Sequence, residues 1–162
     1  PTLESLQYYR QVIGKDYHSF AHKGCLFVFV NTQLWKAPVN GESEQQDSWL
    51  EQTLKTAARK KRRIFIIGHY PLFLAAPDEA EEYMNLPPAK RKELLGLFKE
   101  YGVVAVLGGH AHRLVINDYQ GIQLVNGETT SRNFDKRPLG FRVWQVLDPR
   151  PFQHAFVPLE GL

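Results

Sequence analysis

The chain has 162 residues, 43% hydrophobic and 23% charged, which is an ordinary globular balance and excludes a disordered segment of this length. No run approaches the ~20 apolar residues that a membrane helix needs, so no membrane partner is expected. The single cysteine, Cys25, excludes an internal disulfide, a multi-cysteine zinc knuckle and an iron–sulfur cluster, and reads as a plain thiol on a strand. The net charge of +3, from 20 basic and 17 acidic side chains, suits anionic or phosphorylated ligands and is too slight for a nucleic-acid binder. Cytoplasm is the default compartment for such a chain.

In chain order, Thr2 to Ile13 predicts a short helix ending at Gly14. Alternation over Tyr17–Ala21, a turn at His22-Lys23-Gly24 and the apolar run Cys25–Val30 predict a hairpin whose second strand is buried on both faces. Asn31 to Gly41 reads as a loop. Ser43-x-x-Gln46 has the pattern of a capping box ahead of a helix carrying Leu50, Leu54, Ala57 and Ala58 on one face. That helix should end in Arg59-Lys60-Lys61-Arg62-Arg63, where basic side chains meet the negative end of the dipole. A buried strand follows at Ile64–Ile67, then a long loop from Leu72 to Leu86, acidic at Asp78, Glu79, Glu81 and Glu82. Pro87-Pro88 can open the next helix, with Gly102 at its C-terminus.

Val103–Leu107 predicts a second buried strand. Beyond it the period changes to two: Leu114–Ile116, Ile122–Val125, Phe141–Leu147 and His154–Leu159 read as mostly antiparallel strands. No linker or repeat divides residues 1–162, which read as a single α/β domain.

Both buried strands run into glycine and then histidine: Gly68-His69, and Gly108-Gly109-His110-Ala111-His112. In sheets crossed by helices, ligands gather beyond the carboxyl ends of the strands. Glycine lets the backbone turn sharply there, and imidazole suits zinc, iron and manganese. Three such histidines make His69, His110 and His112 the candidate metal ligands. His18, His22 and His154 lie in hairpin and tail contexts and are left out. Arg113 beside His112 is a candidate phosphate contact or a surface arginine, and the loop Gly127–Leu139 is placed to rim the site.

The ordered segments Asp16-Tyr17-His18-Ser19-Phe20, Gln46-Asp47-Ser48-Trp49-Leu50, His69-Tyr70-Pro71-Leu72-Phe73-Leu74 and Gly109-His110-Ala111-His112-Arg113 resemble the calcineurin-like metallophosphoesterases. They are most similar to the subgroup with protein serine/threonine phosphatase activity. The resemblance implies the C-terminal half of a four-layer α/β/β/α sandwich with mixed sheets. It implies a dinuclear site with two divalent ions (manganese, iron or zinc) and phosphate-ester hydrolysis by a metal-activated water. His69 and His110 would ligate one ion and His112 the other, the substrate being a phosphorylated small molecule or a phosphoprotein.

The family's Gly-Asp-x-x-Asp and Gly-Asn-His motifs do not occur in these residues, and the one Asp-x-His, Asp16-Tyr17-His18, lies in the hairpin segment and is not assigned as the family's opening motif. In the family such motifs supply the bridging carboxylate, an asparagine ligand and the histidine that assists the leaving group. No general-acid histidine is therefore assigned, and the chain alone is expected to be inactive or nearly so. It is also expected to self-associate through the face that an N-terminal half would cover. Two alternatives stay open: a mononuclear zinc hydrolase held by the three histidines, and a non-catalytic metal-binding fragment.

Overall fold

The computed structural model describes residues 1–147 and 152–159. Helix α1 (Leu3–Val12) begins with a reciprocal cap: the Thr2 hydroxyl accepts from the Ser5 amide, and the Ser5 hydroxyl accepts from the Thr2 amide. Strands β1 (His18–His22) and β2 (Cys25–Phe29) form the expected hairpin, turning through Lys23 and Gly24, both at positive φ. Cys25 is buried on β2.

The segment read as a loop instead holds a single helical turn, α2 (Gln33–Lys36), which buries Leu34 and Trp35. One turn is too short to show a helical period in sequence. The capping-box reading also needs correction. Helix α3 (Glu42–Arg59) starts ahead of Ser43, with Gly41 as its N-cap at φ +80°. The Ser43 hydroxyl donates to the Leu34 carbonyl and accepts from the Val39 amide. Gln46 accepts from the Asn31 amide and donates to the Asn31 carbonyl. These two side chains fasten the α2 turn to α3 rather than cap a helix.

Helix α3 ends within the basic run, with Lys60 as its C-cap. Strand β3 (Arg63–Ile67) follows, and helix α4 (Pro88–Glu100) opens on proline. Then come β4 (Val103–Gly108), β5 (Val115–Tyr119), β6 (Ile122–Asn126), β7 (Gly140–Val146) and β8 (Phe152–Pro158).

Six strands form one mixed sheet in the order β1-β2-β3-β4-β6-β5. The four inner strands are parallel, and β1 and β5 are antiparallel on the edges. Strands β3 and β4 are parallel neighbours in this sheet. The inner strands carry the near-continuous apolar runs of a sheet covered on both faces. One face packs Val28, Ile64, Ile66 and Val106 against Leu50 and Leu54 of α3 and Leu94 and Phe98 of α4. On the second face, Trp144, Val146 and Phe152 of the β7–β8 ribbon cover Cys25, Phe65, Val104 and Ala105. Helices, sheet and ribbon make three layers of the expected sandwich.

Candidate functional site

The four parallel strands end at one edge, and each delivers a loop there: Asn31-Thr32 after β2, Gly68-His69-Tyr70 after β3, Gly109 to His112 after β4, and Gly127-Glu128 after β6. Thr32 ties two of these loops. Its buried hydroxyl accepts the amides of His69 (3.3 Å) and Tyr70 (3.0 Å). A Cβ on Gly68 would meet the Thr32 Cγ2 at 2.5 Å, so only glycine lets the loops approach this closely. The Gly109 amide then donates to the His69 carbonyl at 2.9 Å and joins the β3 and β4 loops.

This scaffold sets His69 Nε2 and His110 Nδ1 2.9 Å apart. The second nitrogen of His110, Nε2, faces the Tyr83 carbonyl at 3.3 Å, and the Tyr70 ring packs on the His110 ring with centroids 4.0 Å apart. His112 Nδ1 faces the Arg132 carbonyl at 2.8 Å, while its ring stacks on Phe134. The three imidazoles line one open cleft of about 430 Å³ together with Glu128 and Arg142. Partial burial, and then the proximity of His112, hold His69 below the usual imidazole range. At His110 burial and then His69 do the same. Both effects favour the neutral imidazole, the form that ligates a metal.

The sharp turn after β4 is made differently from the sequence expectation. His110 (φ +63°) and His112 (φ +49°) themselves occupy the left-handed region, whereas Gly108 and Gly109 are not among the positive-φ residues. Non-glycine residues there are uncommon, and such strain gathers at ligand-binding sites.

Two nitrogens bonded to one ion, each at about 2.0–2.1 Å, stand roughly 3 Å apart in its coordination sphere. The His69–His110 pair has the spacing of one edge of such a sphere, so these donors fit a divalent ion. The fit is partial: among the described residues no group of three His, Cys, Asp or Glu side chains is set to hold a metal ion. His112 shares the cleft but is turned to Arg132 and Phe134. Arg113 is exposed, outside the cleft lining, with its carbonyl taken by Asn126. The loop 127–139 does rim the site, through Arg132 and Phe134. His18 stacks on Phe29, and His154 meets Arg142 at 2.9 Å from behind the cleft wall; neither lines the cleft.

Sequence reasoning missed Thr32, Tyr83 and the Glu128–Arg142 pair. The Glu128 side chain is wholly buried and takes two bonds from Arg142, at 2.8 and 2.7 Å. Burial pushes that carboxyl up, but the Arg142 bonds outweigh it and hold Glu128 below its ordinary range. A glutamate in a polar loop and an arginine on a later strand carry no sequence signal that they meet.

The layered mixed sheet, with histidines at its carboxyl edge, is the architecture of the metallophosphoesterases. Along its whole length the chain is similar to curated proteins named as serine/threonine-protein phosphatases. Serine/threonine-protein phosphatase CPPED1 of Rattus norvegicus is 33% identical over 167 residues, a match covering 100% of this chain and 53% of that protein. The chain thus spans about half the length of the curated relatives it matches. No family model matches the chain. Among solved structures, GAP50, the anchor in the inner membrane complex of Plasmodium, aligns with a TM-score of 0.65 at 17% identity, over 90% of this chain and 50% of that one. A dimetal phosphatase from Danio rerio aligns with a TM-score of 0.55 at 18% identity, over 76% of this chain and 56% of that one. At such identities the structural likeness speaks for the fold.

Proposed function

We propose that this chain contributes three imidazoles, from His69, His110 and His112, to the two-ion site of a phosphatase acting on phosphate esters. The observation that carries the reading is the His69–His110 nitrogen pair, 2.9 Å apart at the carboxyl edge of the sheet. His69 Nε2 and His110 Nδ1 would hold one ion. His112 would offer Nε2 to the other, because its Nδ1 is engaged by the Arg132 carbonyl. Manganese, iron and zinc all suit this donor chemistry. Divalent ions in such a site supply charge neutralisation for the phosphoryl oxygens and acidify a water.

The chain's own groups do the rest: Thr32 fixes the His69 loop, the neutral imidazoles present lone pairs, and Arg142, held by Glu128, gives the cleft a rigid polar wall. The protein-phosphatase name of the relatives supports phosphoserine or phosphothreonine as the substrate. A mononuclear three-histidine site is the weaker reading, since His112 does not join the other two in one ligand group.

The test uses the natural protein that carries this chain. Metal content and turnover of a phosphorylated peptide are measured with and without His112→Ala. The reading expects the bound metal to fall from about two ions to about one, with turnover largely lost. Two ions and unchanged turnover in the variant would refute it.

A further inference from the structure

Arg91, on α4, is completely buried, and its guanidinium meets main-chain carbonyls rather than a carboxylate. It donates to Leu72 (2.9 Å), Pro77 (2.9 Å), Glu79 (2.8 Å) and Leu86 (2.7 Å), all within the irregular segment 72–86. A buried cation is costly, and an apolar side chain of the same volume would fill the space at less expense. What the guanidinium adds is a fixed path for the loop, because its planar donors address carbonyls at both ends of the segment and in its middle.

Other groups lock the same segment. The Glu79 carboxylate accepts the amides of Leu74, Ala75 and Ala76, and Asn85 bonds Glu79, Ala80 and Glu82. From α2, Lys36 donates to the Glu82 and Asn85 carbonyls. The loop so fastened presents Tyr83, an exposed residue whose carbonyl faces His110 Nε2 at 3.3 Å.

A neutral imidazole carries one N–H, and a carbonyl can only accept. The Tyr83 carbonyl therefore draws the proton to Nε2 and leaves the lone pair on Nδ1, which in the metal-free protein accepts from the His69 Nε2–H at 2.9 Å. Metal-ligating histidines are commonly oriented in this way through their second nitrogen. We infer that Arg91 is a positioning residue for the candidate metal site: it fixes the 72–86 loop so that the Tyr83 carbonyl sets the orientation and tautomer of His110. This rests on the reading of His110 as a metal ligand.

The test compares the natural protein with Arg91→Met, Arg91→Lys and Asn85→Ala, the last loosening the Tyr83 end without emptying the buried cation site. Two readouts are taken: 15N NMR of the His110 ring in metal-free protein, and Mn²⁺ affinity by calorimetry. In the parent, His110 should be the Nε2–H tautomer. Arg91→Met should give a tautomer mixture and weaken the tighter ion by about 10–100-fold, with lysine between methionine and parent. Asn85→Ala should move both readouts the same way and by less. An unchanged tautomer and affinity in folded Arg91→Met would overturn the inference. If that variant does not fold, Asn85→Ala decides alone by the same criterion. A separate His110→Ala variant judges the ligand reading: unchanged Mn²⁺ affinity there removes that reading, while the metal-free tautomer still reports whether Arg91 positions the ring.

Discussion

His110 and His112 hold backbone conformations that side chains normally avoid, and they do so on either side of buried Ala111. The left-handed conformation costs an L-residue roughly 1–2 kcal/mol, and glycine escapes most of that. Replacing His112 by glycine should therefore leave the protein about 1 kcal/mol more stable in urea than replacing it by alanine, although both variants lose the imidazole. Equal stabilities would mean that position 112 carries no backbone strain. The histidines themselves were legible in sequence, because each closely follows a short apolar strand. Their φ angles were not. The preceding glycines suggested the turn, but Gly68 is needed for its close approach to Thr32, and the turn belongs to the histidines. The Tyr83 carbonyl was equally hidden, since a main-chain acceptor has no signature in residue type.

Among elements, the segment 72–86 is held by charge. Burial pushes the Glu79 carboxyl up, but Asn85 and the amides of Leu74, Ala75 and Ala76 outweigh it and bring its pKa to about 2, against 4.5 unperturbed. A carboxyl lowered in the folded state contributes stability that is present above the unfolded value and is lost as pH falls through the folded one. Stability should thus decline from about pH 4.5 towards about pH 2, and Glu79→Gln should flatten that part of the profile. Urea titrations at stepwise pH on both proteins check this. Parallel profiles would show that Glu79 is not bonded as described.

Long periodic elements such as α3 and α4, and the apolar strands β2, β3 and β4, were readable from sequence because burial dictates their pattern. The short turn α2 and the true start of α3 were not. Ser43 and Gln46 have the spacing of a capping box, yet bond the main chain of residues 31, 34 and 39. Only tertiary packing distinguishes the two uses.

For the whole molecule, the mixed α/β character followed from the change of hydrophobic period after His112. The insertion of β6 beside β4 did not, because β5 and β6 read locally as a plain hairpin. That insertion places Gly127 and Glu128 at the same edge as the histidines. Three of the parallel strands, β3, β4 and β6, then open onto one cleft beside the β7–β8 ribbon, and no helix among the described residues is long and apolar enough to cross a membrane. The decisive measurement is the position of bound metal: a crystal structure of the natural protein grown with Mn²⁺, with the ions located by anomalous scattering. One ion should lie within about 2.0–2.3 Å of both His69 Nε2 and His110 Nδ1, with a second against His112 Nε2. Manganese seated elsewhere, with His69 and His110 still facing each other across an ion-free gap, would contradict the assignment of this edge as the metal centre.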